Sequence, residues 1–517
     1  MYELRPYQSA AVEATEAGWR GIDGEPPASK QLLSMPTGCG KTVVFAHLAL
    51  REVQRGHRVC VLAHRDELLE QARDKLYKAA GLHSALEKGT STAHDTLLPT
   101  VVASVQTFHA RRLERWHPDS FNLIVVDEAH HSLADTYLRV FDHFTSARLV
   151  GVTATPDRGD KKSLGEVYER IAYEYSLRAA IRDGYLCPIK AKLIPLEIDL
   201  SQVRTVRGDY NVNDLDESIA PYLYQAAQAI AEHAANRKCL VFVPLVRTSE
   251  AFAQICQGLG LRAQHVDGGS DDRKEILRDY AQGKYQVLTN SSLLLEGYDC
   301  PDISCIVCLR PTQSRPLYAQ IVGRGTRIAP GKENLLLLDF LWQSTKHSLC
   351  VPASLFAKSQ EEAQQVMAGF VPGDEEKDLL EAEDDAKKAR ERALAEQFER
   401  QRNKKRKEMD PLEFALSIHD EDLAEYEPVM RWEFDKPTQR QLQVLANLGL
   451  DTEIVTCKGH ASAILSRVFA RRDANLCTPK QARVLSKYGI DPSNITFERA
   501  SAIIDSISKQ WKKRSYA

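Results

Sequence analysis

A glycine-rich segment near the amino terminus has the residue types that hold phosphate groups. It reads QLLSMPTGCGKT, an apolar run, a turn and the start of a helical pattern. Gly38 and Gly40 would let backbone N–H groups close around phosphates. Lys41 would reach the terminal phosphate oxygens, and the Thr42 hydroxyl would bind Mg²⁺. Met35 occupies the first glycine position of the strict pattern, so a chance glycine turn remains an alternative for this segment alone.

Two adjacent carboxylates, Asp127 and Glu128, end the apolar run FNLIVVDEAHH. In a parallel sheet, the end of such a strand lies at the same edge as a phosphate-binding loop. Asp127 would then hold Mg²⁺ together with Thr42, and Glu128 would orient and deprotonate an attacking water. A lone Asp-Glu pair at a strand end is often only solvated, but the upstream loop favours nucleotide hydrolysis.

A third segment, QIVGRGTR, carries two arginines. Arg324 and Arg327 are three residues apart, so on a helix they would share a face. A guanidinium aimed across a cleft can neutralise the charge that develops on a transferred phosphate. On these residues alone, a surface helix with two solvated arginines is the preferred interpretation.

The elements around these segments predict the α/β fold class. From about Gln31 to Ile328, short runs rich in valine, isoleucine and leucine alternate with helical patterns, as in parallel sheets covered by helices. A stretch without clear periodicity divides the runs into two sets. We therefore predict two parallel-sheet lobes, residues 1–190 and 226–345, connected by residues 191–225.

The remaining residues differ in composition from the two predicted lobes. Residues 346–430 are predicted to be a charged helical or flexible segment. Within it, residues 374–408 are polar, acidic in the first half and basic in the second, which predicts a solvated helix or flexible linker, or a basic arm on nucleic acid. Residues 431–517 predict a small all-helical domain with an internal repeat. The pattern TQRQLQVLANLGLD from Thr438 returns as TPKQARVLSKYGID from Thr478, which indicates two helical hairpins.

Basic residues of this repeat fall outside its predicted apolar stripe. They would form either an additional phosphate-contacting surface or part of a protein-docking module. They are Lys436, Arg440, Lys458, Arg467, Arg471, Arg472, Lys480, Arg483 and Lys487.

Composition limits the other classes of function. With 43% hydrophobic and 27% charged residues, the chain has no apolar run near the roughly 18 residues of a membrane span. Its start, MYELRPYQ, lacks a secretory pattern, so we expect a cytoplasmic protein without membrane association. The net charge is only -3, so nucleic-acid binding would need a local basic patch. Cys305 and Cys308 lie inside an apolar run and are expected to be buried strand thiols rather than zinc ligands.

Taken in order, the segments resemble the motifs of the superfamily 2 DEAD/DEAH-box helicases over residues 2–341. LRPYQ resembles the adenine-reading element, LAHRDELLEQ motif Ia, VASVQTF motif Ib, DEAH motif II and VGVTATP motif III. In the second half, VFVPLVRT resembles motif IV, VLTNSSLLLEGYDCPDI motif V and QIVGRGTR motif VI. The resemblance implies two RecA-like lobes that use ATP and Mg²⁺ on nucleic acid.

The resemblance also implies roles for individual residues. Catalysis would depend on Lys41, Asp127, Glu128, Arg324 and Arg327, with Thr42 and Asp127 as the Mg²⁺ ligands. The nucleotide would contact Arg5, Gln8, Thr37, Gly38, Cys39, Gly40, Lys41, Thr42, Gly297 and Asp299. Nucleic acid would contact His64, Arg65, Ser104, Gln106, Thr107, Arg247 and Thr289.

The run EGYDCPDISCIVCLRPTQSRPLYAQIVGRGTRIAPGKENLLLLDF is most similar to the RadD-like and type III restriction-subunit branch. The cysteine-rich zinc element that follows in RadD-like proteins is missing here. The resemblance implies an ATP-dependent helicase or translocase that acts on DNA, in repair, recombination or replication.

Two alternatives remain at this point: a nucleic-acid-gated ATPase switch, and the motor subunit of a restriction or defence assembly. A protein partner could bind through the C-terminal repeat. About twenty residues separate motifs V and VI, too few for an inserted wedge hairpin. ATP hydrolysis is therefore the firmer expectation, ahead of strand separation.

Overall fold

The structure of the chain, a computed structural model, divides into two compact units, Met1–Glu383 and Asp384–Ala517. The residues it describes are 3–21, 26–64, 66–154, 164–206, 209–270, 272–295, 298–343, 349–357, 359–373, 375–401, 409–424, 426, 428 and 431–514.

The first lobe of the larger unit contains a seven-stranded sheet with the order β3-β4-β2-β5-β6-β1-β7. Every pairing in it is parallel. Its strands are β1 (Lys30–Ser34), β2 (Val59–Ala63), β3 (Ser84–Glu87), β4 (Thr100–Ser104), β5 (Leu123–Asp127), β6 (Arg148–Thr153) and β7 (Arg170–Glu174). Its helices are α1 (Pro6–Arg20), α2 (Lys41–Gln54), α3 (Asp66–Ala80), α4 (Ala110–Leu113), α5 (Asp135–His143) and α6 (Leu177–Arg182).

The second lobe contains another seven-stranded sheet, with the order β12-β13-β11-β14-β15-β8-β16. Its pairings are parallel except that of β16 with β8. The strands of this lobe, including the separate hairpin β9-β10, are β8 (Ile189–Asp199), β9 (Thr205–Val206), β10 (Asp209–Tyr210), β11 (Cys239–Phe242), β12 (Ala263–His265), β13 (Val287–Asn290), β14 (Cys305–Cys308), β15 (Leu335–Gln343) and β16 (Lys377–Asp378). The helices that follow β10 are α7 (Val212–Ile219), α8 (Leu223–His233), α9 (Val246–Gly258), α10 (Arg273–Ala281), α11 (Arg315–Gly323), α12 (Gln360–Met367) and α13 (Leu379–Gln401).

The central strands of both sheets are continuous apolar runs because both faces of each sheet are buried. All five residues of β2 and all four of β11 and β14 are buried. Cys305 and Cys308 lie on β14 as buried thiols outside any disulfide, as predicted. The two parallel-sheet α/β lobes therefore confirm the predicted fold class.

The second sheet begins earlier than the sequence suggested. We expected residues 191–225 to connect the lobes, but β8 pairs along its length with β15, starting with Ile189 opposite Leu335. Its neighbour on the other side is the two-residue β16, so β8 is only partly covered and alternates between buried and half-exposed positions. Because of this alternation, β8 has no continuous apolar run of the kind that marks the central strands in the sequence.

The smaller unit contains the predicted pair of hairpins. Its helices are α14 (Pro411–Ser417), α15 (Glu421–Ala424), α16 (Gln439–Leu448), α17 (Lys458–Asp473), α18 (Pro479–Lys487) and α19 (Phe497–Arg514). Thr438 and Thr478 each accept a capping hydrogen bond from the backbone N–H three residues later. The amides at those positions also bind equivalent serines, Gln441 to Ser462 and Gln481 to Ser501, both at 2.9 Å. The repeat therefore extends to individual side-chain contacts.

Two details of this unit differ from expectation. Its core includes Met409, Phe414 and Leu423, so the packed helical region begins before residue 431. Arg471 is buried instead of outside the core, because its guanidinium donates to the carbonyl oxygens of Pro492 and Ser493. Among the described residues, no helix has the length and apolarity that crossing a membrane requires.

Candidate functional site

The predicted phosphate loop runs from the end of β1 to the start of α2. Met35, at the position where the strict pattern has glycine, is fully buried, and its N–H donates to the carbonyl oxygen of Thr153 at 3.0 Å. The residue thus continues the sheet and needs no glycine conformation. The departure from the strict pattern therefore leaves the turn itself intact.

The two glycines of the loop adopt backbone conformations that other residues rarely tolerate. Gly38 has φ 91° and Gly40 has φ 72°, both in the left-handed region. A Cβ atom at Gly40 would approach Gln8 Nε2 to 2.6 Å. The loop leads directly into α2, whose first backbone N–H groups have no partner within the helix and are suited to bind an anion.

The amino-terminal residues brace this loop. The Tyr7 hydroxyl and Gln8 Nε2 both donate to the carbonyl oxygen of Cys39, each at 3.0 Å. Burial raises the pKa of the Tyr7 phenol, so it remains a donor. The N–H of Arg5 donates to Gln8 Oε1 at 3.0 Å, which fixes the glutamine amide. Gln8, expected to read adenine, is therefore also a support for the loop.

The two carboxylates lie at the carboxyl end of β5. Asp127 Oδ1 accepts a hydrogen bond from the Glu128 N–H at 3.0 Å. Glu128 has φ 53°, a conformation that non-glycine residues adopt mainly where the surrounding structure enforces it. Its side chain is buried, which alone would raise its pKa, but Lys41, His130 and Arg324 lower the pKa below its ordinary value. Glu128 is therefore an ionised carboxylate beside the phosphate loop.

The two arginines do not share a helix face, so this part of the prediction is wrong. Helix α11 ends at Gly323, and both arginines lie in the turn after it. Arg324 Nη1 donates to the carbonyl oxygen of Tyr298 at 2.9 Å, and Arg327 pairs with Asp299 at 2.7 Å. The turn nevertheless brings both arginines to one cavity.

The same turn is tied to the segment where the chain passes between the lobes. The Cys187 N–H, two residues before β8, donates to the carbonyl oxygen of Thr326 at 2.8 Å. Lys332 Nζ donates to the carbonyl oxygens of Gly325 and Arg327, at 2.6 and 2.7 Å. The backbone that carries the arginines is thus fixed to the interlobe connection.

A cavity of about 390 Å³ lies between the two lobes. Most of the predicted nucleotide and catalytic residues line it, namely Arg5, Thr37, Gly38, Gly40, Lys41, Thr42, Asp127, Glu128, Asp299, Arg324 and Arg327, whereas Gln8 and Cys39 do not. Gly297, also predicted to contact the nucleotide, lies outside the described residues. The first lobe thus provides the glycine loop, Lys41 and two carboxylates, and the second provides two guanidinium groups.

Two further residues of this site were not singled out from the sequence. Gln320, which begins the QIVGRGTR segment, places Nε2 3.3 Å from Glu128 Oε2 across the cleft. Because Gln320 belongs to the QIVGRGTR segment, the sequence pattern could have indicated its place in the site. Tyr185 lines the cavity with its ring 5.1 Å below the Arg5 guanidinium, and no sequence pattern indicated it.

The predicted nucleic-acid residues of the first lobe form one cluster at adjoining strand ends. Ser104 ends β4, and its hydroxyl donates to Gln106 Oε1 at 2.6 Å. The exposed Gln106 donates through Nε2 to the carbonyl oxygen of His64, which follows β2, at 2.9 Å. The Thr107 hydroxyl oxygen accepts from the N–H of Gly89. Arg65 lies outside the described residues.

The predicted nucleic-acid residues of the second lobe are in different environments. Arg247 is largely exposed and pairs with Asp216 at 2.8 Å. Thr289 is fully buried on β13, and its hydroxyl is bonded to Ser249. The structure therefore does not support a contact between the Thr289 side chain and nucleic acid. Strand β13 lies inside a covered sheet, so this side chain is buried in the core of the lobe.

Comparison with known proteins identifies the family. Residues 1–158 match the family model described as the res subunit of type III restriction enzymes, and residues 222–329 match the helicase conserved C-terminal domain. IRC3 of Saccharomyces cerevisiae, named as an ATP-dependent helicase, is 31% identical over 382 residues, 69% of this chain and 54% of IRC3. The chain belongs to the superfamily 2 helicases.

The chain lies in the type III restriction-subunit-like branch. It is 27% identical over 378 residues to the endonuclease subunit of the Escherichia coli type I restriction enzyme EcoAI, a match to 65% of this chain and 46% of that subunit. The chain spans about half the length of these curated relatives.

A solved structure supports the fold of the helicase. The ATP-dependent type ISP restriction-modification enzyme LlaBIII bound to DNA superposes with a TM-score of 0.54 at 14% identity, over 98% of this chain and 42% of LlaBIII.

Proposed function

We propose that this protein hydrolyses ATP to move along nucleic acid, as a helicase or a translocase. The observation that carries the proposal is the cavity lined by Lys41, Asp127 and Glu128 of one lobe and by Arg324 and Arg327 of the other. A nucleotide bound there would contact both lobes, so closing and reopening the cleft would follow the ATP cycle.

Each group in the cavity has a role in phosphoryl transfer. Lys41 would bind the β- and γ-phosphates, and Glu128 would orient and deprotonate the attacking water. Arg324 and Arg327 would stabilise charge in the transition state. The Thr42 hydroxyl and the Asp127 carboxylate fit Mg²⁺, because both are oxygen ligands at one cavity, and this cation would neutralise phosphate charge there.

We further propose DNA as the track, in repair, recombination or replication. The support is that LlaBIII is named as bound to DNA and that restriction-enzyme subunits are among the relatives. The same relatives favour a second candidate, the motor subunit of a restriction assembly with its nuclease on another chain. A cytoplasmic location belongs to both proposals.

The test is the ATPase rate with no nucleic acid and with single-stranded DNA, duplex DNA, forked DNA or RNA. Displacement of a triplex strand would report translocation, and separation of a fork would report unwinding. We expect DNA to stimulate hydrolysis and Lys41→Ala to remove both the basal and the stimulated rate. Equal rates with and without every nucleic acid would contradict the proposal.

For the C-terminal unit we propose an auxiliary contact with the phosphate backbone. Lys436, Arg440 and Lys487 are exposed, whereas Arg471 is buried and Arg467 pairs with Asp420. In the full chain, replacing the three exposed residues with alanine should weaken DNA binding and reduce the salt slope by about 0.9 for each lost phosphate contact. Unchanged affinity and slope would indicate a protein-docking module instead.

A further inference from the structure

Three histidine rings form a line from the nucleic-acid cluster of the first lobe to Glu128. The ring of His64 lies 4.4 Å from that of His131, and His131 lies 4.0 Å from His130, measured between ring centroids. His130 Nδ1 is 3.4 Å from Glu128 Oε2. The line therefore ends on the carboxylate that would activate water.

The other end of the line is at the surface. The carbonyl oxygen of His64 accepts the amide hydrogen bond of Gln106, whose side chain is exposed, and Gln106 in turn accepts from Ser104. These are the residues that the family resemblance places along the nucleic-acid strand. A nucleic acid bound at Gln106 would therefore act on the backbone that carries the His64 ring.

The sheet explains why the two ends are close together. Strands β2 and β5 are parallel neighbours, with Leu62 opposite Val126, so the residues that follow them emerge side by side. His64 follows β2, and the turn Ala129–His131 follows Glu128 at the end of β5. A displacement at the end of β2 would thus reach the β5 turn through ring contact, without passing through the sheet.

The position of the Glu128 side chain would be sensitive to such a displacement. Its left-handed backbone conformation depends on the surrounding contacts, and the residues after it form a single short turn. The Glu128 carboxylate touches both His130 and Gln320, so a shift of the His130 ring changes how the carboxylate is held. Coupling of this kind needs an element with two arrangements that both sites bias.

We propose that His131, held between His64 and His130, is a positioning residue that couples nucleic-acid binding to the orientation of Glu128. None of the three histidines lines the cavity, so they act through Glu128 and not on ATP. The inference rests on the proposed function, because it explains how nucleic acid would stimulate hydrolysis.

The experiment measures the stimulation factor, the ATPase kcat with saturating single-stranded DNA divided by kcat without it, together with the DNA affinity. For His131→Ala we expect the factor to fall by about tenfold, within the roughly 5- to 150-fold range of measured allosteric couplings. DNA affinity should change far less. His131→Phe keeps an aromatic ring between its neighbours and should restore most of the stimulation.

His64→Ala should give a similar loss, and the double variant should lose no more than either single variant, because both break one line of contact. His117→Ala is the matched control, since this histidine of the same lobe is exposed and distant in sequence from the line. Its stimulation should match that of the unmodified protein.

Full stimulation of both His131→Ala and His64→Ala would overturn the inference, as would losses that multiply in the double variant. A His131→Phe protein as poorly stimulated as His131→Ala would also overturn it. If the unmodified protein hydrolyses ATP at the same rate with and without every nucleic acid, the proposed function itself has failed.

Discussion

The two lobes share an architecture but contribute to the cavity in different ways. In the first lobe, the phosphate loop and the carboxylates directly follow β1 and β5, and Tyr7 and Gln8 brace the loop from within the lobe. In the second lobe, the arginines follow a helix and are held by the backbone of Tyr298 and by Asp299. This difference predicts that the first lobe would bind phosphates by itself. The second lobe would act only when the cleft is closed.

The largest effects should come from the first lobe. Lys41→Ala and Glu128→Gln should both abolish turnover, because the first removes a phosphate contact and the second removes a general base, worth roughly 10² to 10⁴ in rate. Glu128→Gln should still bind ATP and remain bound to nucleic acid. Steady-state rates and equilibrium nucleotide binding check both statements, and near-normal turnover by Glu128→Gln would refute its assignment.

Removing the arginines should lower kcat while affecting nucleotide affinity less. For Arg324→Ala and Arg327→Ala we expect kcat to fall by about 10³, the lower end of the range for an arginine that stabilises a phosphoryl-transfer transition state. Arg278→Ala, on the surface of the same lobe in a pair with Glu275, is the matched control. If either cavity variant only weakens ATP binding, the contrast between the lobes does not hold for that arginine.

A third change tests cleft closure without removing any functional group. A Cβ atom at Gly323 would lie 2.7 Å from Cβ of Thr37, so Gly323→Ala should hold the lobes apart. We expect kcat to fall about tenfold, since overpacking typically costs about 1 to 3 kcal/mol. Gly258→Ala is the control, because it also ends a helix of the second lobe but has open space around the added atom. Equal rates for the two variants would show that turnover does not depend on the close approach of Gly323 and Thr37.

The smallest effect concerns stability and distinguishes the buried acids of the two sheets. Glu87 in the first lobe pairs with Arg112, whereas Asp339 in the second accepts a hydrogen bond from Trp342 Nε1. Burial raises the pKa of Asp339 to about 7, above its ordinary value, so the folded lobe holds this proton more tightly than the unfolded chain. The resulting stability is present at low pH and is lost as the pH rises through about 7, by roughly 1.4 kcal/mol per unit of pKa difference.

Asp339→Asn should remove this pH dependence. Urea unfolding at pH 5 and pH 8 measures it, with the exposed Asp272→Asn as the control. The unmodified chain and Asp272→Asn should lose stability between these pH values relative to Asp339→Asn. Parallel changes in all three proteins would show that Asp339 titrates normally.

The success of the sequence predictions depended on how local each feature is. The glycine turn and the Asp127-Glu128 pair are set by neighbouring residues, so residue type and order were sufficient to predict their place in one cavity. The position of the arginines depended on where α11 ends. The burial pattern of β8 depended on which strand lies beside it in the sheet. The burial of Thr289 and Arg471 depended on contacts with residues distant in the chain, Ser249 and Pro492. Such contacts leave no local pattern.

The hydrogen bond between Cys187 and Thr326 has a mechanical consequence. It places the turn that carries the arginines beside the residues where the chain passes from the first lobe to the second, which would be the pivot of a rotation between the lobes. In a rigid rotation, each atom moves in proportion to its distance from the axis. A small rotation at this pivot would therefore move Arg324 and Arg327 by a short distance and the far edge of the lobe by a longer one. A short movement at the phosphates would therefore accompany a longer movement of the second lobe along the nucleic acid.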